Sequence, residues 1–226
     1  MHREINDFDI TICMPYFERM ARLKNTLKSF KTDGYFESDY PYKVQVSVCD
    51  DGSMEERVRH ERFDGIPLIL TELPLKTGWL NPCVPINRAV RATDSPLILL
   101  QSPETYHPMP VLEKMASLLD AYNKVVLCPT KVGGQKGWEW YAHPIHRPVK
   151  YWFCQLMSRD FFDEINGFDE SYRKGQGYED DAFSVSIEKH GGKFIWVEDC
   201  YVVHVKEARS YKMPPIHENR KRFKNV

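Results

Sequence analysis

No stretch of the 226-residue chain approaches the roughly 18 apolar residues needed to cross a bilayer, and the opening MHREINDFDI has no apolar signal core. These absences lead us to expect a cytoplasmic protein with no membrane span. Six cysteines stand at 13, 49, 83, 128, 154 and 200 without a CxxC pair. Cys13, Cys49 and Cys128 fall inside apolar strand-like runs, where a thiol acts as a small buried hydrophobe, so neither a disulfide framework nor a cysteine zinc site is expected. Neither GxGxxG nor GxxxxGK[ST] occurs, which argues against a dinucleotide-binding turn and a P-loop. Internal repeats and low-complexity segments are also missing. The formal net charge is only −1, too small for a global pull toward nucleic acid or membrane.

What is present is an alternation. Compact β-rich runs (DITICMP, KVQVSVCD, IPLILTEL, SPLILLQ, KVVLCPT) are interleaved with segments whose apolar residues recur at helical spacing, such as Met20, Leu23, Leu27 and Phe30 in RMARLKNTLKSF. This βαβ pattern predicts an α/β fold in which residues 1–130 form a mainly parallel sheet covered on both faces. Residues 131–150, with three Gly, two Trp, two His and two Pro, read as a long irregular loop. Beyond it lie a strand (YWFCQLM), a short helix (RDFFDEI), the turn NGFDESY, a helix after GYEDD, and two last strands (KFIWV, CYVVHV). From residue 206 to 226, seven Lys or Arg stand against two Glu, a local balance of +5 that suits a solvated terminus or an anion-binding flap.

Ligands of open parallel sheets bind beyond the carboxyl ends of the strands. The segments to inspect are therefore 15–19, 50–53 and 101–104. MPYFER places Pro15, Tyr16, Phe17 and Arg19 at the first strand end, and CDDGS places Asp50 and Asp51 at the second. A ring, a cation and a carboxylate can serve the base, ribose and phosphates of a nucleotide. The same Asp-Gly-Ser run also suits a simple Asx turn. In GQGYEDDAF, Glu179, Asp180 and Asp181 open a helix. One acid there would satisfy the free N–H groups of a first turn, and three are more than a cap requires.

Taken in order, MPYFER, CDDGS, INRAV, INGFDESY, GYEDDAF and the late histidine of VVHV resemble the GT-A fold nucleotide-sugar glycosyltransferases. The likeness is to the family 2 type, with a C-terminal half similar to β-1,4-galactosyltransferases. The resemblance implies a GT-A (Rossmann-like) domain over 1–205, divided into a nucleotide-sugar-binding half (1–130) and an acceptor-binding and catalytic half (131–205), followed by a basic tail (206–226). It implies transfer of a hexose or N-acetylhexosamine from a UDP-sugar to an acceptor hydroxyl, with inversion. Donor contacts would come from Pro15, Tyr16, Phe17, Arg19, Asp51 and Arg88. Asp180 would be the general base, with Glu179 and Asp181 orienting acceptor hydroxyls. Trp138 and Trp140, expected to bind the acceptor, suit with Tyr141 a sugar-stacking wall or a nucleobase platform, or else packing of the loop on the sheet.

One departure bears on the cofactor. Where such enzymes carry Asp-x-Asp, this chain has Gln101-Ser102-Pro103-Glu104, which leaves Glu104 and His204 as candidate ligands for Mn²⁺ or Mg²⁺. Without a metal, Lys206, Arg209 and Lys212 of the tail would face the departing diphosphate. A saccharide or glycoconjugate is the expected acceptor. A modified nucleic acid base and a non-catalytic nucleotide- or glycan-binding module are the alternatives.

Overall fold

Seven consecutive buried residues, Ile10–Tyr16, make β1, an interior strand of the main sheet. Burial along its whole length is what a parallel strand covered on both faces requires. The computed structural model describes residues 8–59, 63, 65–74, 81–134, 137–205 and 217–224, without the side chains of residues 134, 137, 138 and 217. The chain runs β1, α1 (Met20–Thr32), β2 (Val44–Asp50), β3 (Leu68–Glu72), α2 (Cys83–Arg91), β4 (Leu97–Gln101), β5 (Thr105–Tyr106), α3 (Leu112–Ser117) and β6 (Lys124–Leu127). It continues with β7 (Thr130–Gly134), β8 (Gly137–Ala142), β9 (Cys154–Ser158), α4 (Arg159–Glu164), a 3₁₀ turn (Glu170–Lys174), α5 (Glu179–Lys189), β10 (Lys193–Trp196), β11 (Val202–His204) and α6 (His217–Phe223).

The main sheet has the order β10-β6-β9-β4-β1-β2-β3. β1 runs parallel to β2 and β4, and β2 to β3, while β9 is antiparallel to both β4 and β6. The mainly parallel sheet read from residues 1–130 is thus completed by β9 and β10 from the second half, so the two halves share one sheet. Period-two alternation divides the core between its faces. Ile12, Met14, Val46, Val48 and Leu99 pack with Leu23, Leu27 and Phe30 of α1, whereas Cys13, Ile98, Leu100 and Met157 pack with Ile86, Phe161, Phe183 and Ile187 of α2, α4 and α5.

Residues 131–150 correct the sequence reading. Residues 131–134 and 137–142 of this segment lie in β7 and β8, which pair antiparallel in a second sheet ordered β5-β11-β7-β8. An isolated bridge between His143 and Arg147 closes the turn that follows. The apolar spacing of PVLEKMASLLDAY predicts a longer helix than α3, which ends at Ser117. No helix among the described residues is long and apolar enough to cross a membrane.

Candidate active site

The strand ends converge on a cavity of ≈ 540 Å³. On one side lie Pro15, Tyr16, Phe17, Arg19 and Asp51, and on the other Tyr178, Glu179, Asp180 and Asp181, with Ser102, Pro103, Glu104 and His204 also in its lining. The donor, catalytic and metal residues singled out from sequence, Arg88 excepted, therefore share one hollow with Glu179 and Asp181.

The two aspartates of CDDGS divide their work. Asp50 accepts the backbone N–H groups of Ser53 (2.9 Å) and Val58 (3.0 Å), so it is the Asx turn. Asp51, 4% exposed, lines the cavity. The loop after β2 is tied to the loop after β1 by carboxylates. Glu18, in the left-handed region at φ 46, accepts from the backbone N–H groups of Met54, Glu55 and Glu56, and the Glu56 carboxylate accepts from Met20 N at the start of α1. Burial alone would raise the Glu18 pKa, but those three donors together hold it below the usual carboxylate range. The α1 N-terminus is thus capped from within the protein. The Tyr16 hydroxyl is likewise engaged with backbone, donating to Glu56 O and accepting from Arg19 N.

At the β4 end, Gln101 is fully buried and donates to Thr105 O. Its other amide atom lies 3.5 Å from His107 Nε2, and His107 Nδ1 lies 2.9 Å from the Tyr35 hydroxyl. Burial holds the His107 pKa down at about 3, so the ring is neutral. An aspartate at 101 would bring a charge into this neutral network, which a buried amide avoids. Pro103 offers its carbonyl to Thr26 (2.8 Å). Glu104 is the acid of this turn that reaches the cavity. One oxygen is ion-paired with Arg19 and the other lies 3.6 Å from His204 Nε2, all three side chains being 14–17% exposed.

Among the described residues no group of three or more His, Cys, Asp or Glu comes together as a metal-ligand set. The carboxylate–imidazole pair of Glu104 and His204 supplies two donors facing the cavity. That fits a hard divalent ion that takes its remaining ligands from substrate phosphates and water. Lys206, Arg209 and Lys212 lie outside the described residues.

The acidic run sits at the first turn of α5. Glu179, 9% exposed, accepts from Asn81 Nδ2, and Asn81 Oδ1 accepts from Cys83 N (3.1 Å), tying the starts of α5 and α2 together. Asp180 is half-buried. Burial, then the adjacent Glu179 and Asp181 charges, push its pKa well above the ordinary carboxylate value. A helix N-terminus by itself favours the ionised form of an acid, and at Asp180 burial and the two flanking acids outweigh it. Burial raises Asp181 as well.

Two residues fall outside the hollow. Arg88 is exposed on α2, whose buried face is formed by Cys83, Ile86, Asn87 and Val90. Its neighbour Asn87 is the anchoring residue of INRAV, receiving Phe168 N (2.9 Å) and donating to Phe168 O (2.8 Å). Trp140 packs instead beside His143 at 4.1 Å and under the Lys131 ammonium at 4.8 Å. The side chain of Trp138 lies outside the described residues, though its backbone pairs with Gly133. The aromatic wall is made by Tyr141, Tyr151, Trp152 and Phe153. The Tyr141 and Phe153 rings stack at 5.0 Å, with the His204 imidazole 4.7 Å from Phe153. YWF reads in sequence as the start of a strand, and nothing local marks it as a wall.

Comparison with known proteins places this geometry. The family described as Glycosyl transferase family 2 matches residues 11–172. None of the curated proteins compared with the chain matches it. Among solved structures, GalNAc-T7 with UDP, GalNAc and Mn²⁺ is similar with a TM-score of 0.72 at 15% identity, over 100% of this chain and 49% of that one. S. aureus TarS 1–349 in complex with UDP gives 0.68 at 16% identity over 88% and 61%, and its complex with UDP-GlcNAc gives 0.70 at 15% over 90% and 60%. The chain thus spans about half to three-fifths of the length of these structures. The protein belongs to glycosyltransferase family 2 and has the GT-A fold.

Proposed function

We propose that this family 2 glycosyltransferase moves a hexose or N-acetylhexosamine from a UDP-sugar to an acceptor hydroxyl, with inversion and with Asp180 as general base. The observation that carries the reading is the position of Asp180. It opens into the same cavity as Phe17, Asp51, Glu104 and His204, and burial and the flanking acids raise its pKa and so strengthen its hold on a proton. That two of the similar structures hold UDP and a third UDP-GlcNAc supports UDP as the carrier.

In this reading Asp51 accepts from uracil N–H or a ribose hydroxyl, and Phe17 and Pro15 flank the base. Arg19 stands where the diphosphate would lie. Glu104 and His204 would hold Mn²⁺ or Mg²⁺, which when bound neutralises diphosphate charge, and the Mn²⁺ in the GalNAc-T7 structure supports this. The acceptor oxygen attacks the anomeric carbon as the bond from that carbon to the diphosphate oxygen breaks. The hydroxyl proton passes to Asp180, and UDP leaves with the bonding electron pair. Asp181 and Glu179 orient the acceptor's other hydroxyls, and Tyr141, Tyr151 and Phe153 offer ring faces to a saccharide.

A modified nucleic acid base is the second reading of the acceptor. It is favoured by α6, which exposes Arg220, Lys221 and Arg222 close to the cavity, with Lys224 exposed just beyond its end. Incubation with a panel of UDP-sugars and pooled acceptors, followed by UDP assay and mass spectrometry, tests the function. Product on a glycan supports the first acceptor, product on DNA or RNA the second, and UDP-sugar binding without any product would reduce the protein to a binding module.

A further inference from the structure

The residue before the acidic run holds a backbone conformation that it should resist. Tyr178 has φ 66 and ψ −4, the left-handed region, where its Cβ crowds the following carbonyl oxygen. Gly177 before it is left-handed too, at φ 69. Glycine takes that conformation freely, whereas a strained residue such as Tyr178 persists in it only where neighbouring contacts over-determine it. Those contacts come from α6, about forty residues further on. Asn219 is 2% exposed and spends both N–H groups of its amide on this loop, donating to Gly177 O (2.8 Å) and Tyr172 O (3.0 Å). Phe223, one turn later, lays its ring 5.5 Å from that of Tyr178. The approach is close enough that a Cβ on Gly175 would stand 2.3 Å from Asn219 Oδ1. Tyr178 then accepts the first helical hydrogen bond of α5, from Ala182 N (3.0 Å), so its conformation sets how Glu179 and Asp180 enter the cavity.

We infer that Asn219 is a positioning residue for the reaction. Through Gly177 and Tyr178 it holds the first turn of α5 so that Asp180 faces the acceptor side of the cavity. The inference rests on the proposed role of Asp180. It assigns to α6 a task that none of the motifs carries, since Asn219 is not part of the cavity lining and lies outside the family match at 11–172.

The test compares Asn219→Ala, Gly175→Ala and the double variant with the parent, using amide exchange of the 175–181 segment, UDP affinity and turnover. Asn219→Ala should speed exchange at Gly177–Asp181 by tenfold or more while β1 and β4 exchange as before. Turnover should fall about ten- to hundredfold, as expected for small misplacement of a reacting group, with UDP affinity within twofold of the parent. Gly175→Ala should show the same pattern by expelling the Asn219 amide, and the double variant should be no worse than Asn219→Ala, because both break one contact. Unchanged turnover, or turnover falling only in step with UDP affinity and global stability, overturns the inference. Asp180→Asn run alongside separates the two claims. If it is inactive while Asn219→Ala is not, the positioning role has failed; if it keeps full turnover, the base assignment has failed, and the exchange data still decide whether Asn219 holds the loop.

Discussion

Arg19 and His204 share one carboxylate: Arg19 pairs with Oε1 of Glu104, and His204 Nε2 lies 3.6 Å from Oε2. A divalent ion bound by Glu104 and His204 would join a carboxylate already facing a guanidinium, so the diphosphate would meet two cationic centres. UDP should therefore bind more tightly with Mn²⁺ than with chelator in the parent. Glu104→Gln and His204→Ala should each shrink that difference by on the order of tenfold or more, the scale on which ligand-shell changes act. Equal calorimetric affinity and turnover in excess EDTA would remove the metal and leave Arg19 as the cation opposite the diphosphate.

The neighbouring aspartates of CDDGS should separate cleanly. Asp50→Ala leaves two backbone N–H groups without their acceptor and should lower stability by about 1–3 kcal/mol. Asp51→Ala should weaken UDP binding by about the same amount, if a uracil or ribose donor loses its buried partner, with little change in melting temperature. Calorimetry and thermal unfolding of both variants check this. A stability loss at Asp51 with intact UDP affinity would place it in the scaffold.

Asn87 should behave as scaffold despite its place in a family motif. Asn87→Ala strips partners from both backbone groups of Phe168. A loss of about 2 kcal/mol in a chain of this size corresponds to a fall in melting temperature of about 4–8 °C. Arg88→Ala, on the exposed face, should leave UDP affinity unchanged in calorimetry. A substantial loss of UDP affinity in Arg88→Ala would return that residue to the donor site.

These contrasts show what the sequence could and could not reveal. The strands and the cavity residues beyond their ends were legible because a doubly covered parallel strand is a continuous apolar run, and the residue after it is placed by topology. MPYFER and CDDGS are local facts of that kind. The split between Asp50 and Asp51 was not legible, because the two stand side by side and only the path of residues 53–58 decides which one turns inward. The hairpin at 131–142 was hidden because β7 finds its other partner in β11, some seventy residues on, while its glycines read as a loop. Asn81 and Asn219 carry no local mark at all. Their meaning lies in the carboxylate and carbonyls they meet across the fold.

The raised pKa of Asp180 has a consequence for stability. Below the pKa of an ordinary aspartate both folded and unfolded chains hold the proton, and above the raised folded value neither does. Between the two, the folded protein keeps a proton that the unfolded chain gives up, so stability declines as pH rises through that window. Asp180→Asn cannot ionise. It should melt above the parent at neutral pH, and the gap should narrow as pH falls toward the ordinary carboxylate range. Thermal unfolding across pH 4 to 8 checks this, a parallel offset at every pH being the contrary result.

Whether Asp180 takes the acceptor's proton is decided by the turnover of Asp180→Asn measured beside its UDP affinity. Asparagine keeps the shape and much of the hydrogen bonding of the side chain but cannot serve as a base. Turnover should fall by roughly 10²–10⁴, the usual worth of a general base, while UDP affinity and folding are preserved. Since asparagine caps a helix about as well as aspartate, near-normal turnover in Asp180→Asn would contradict the account and return the acidic run to the capping of α5.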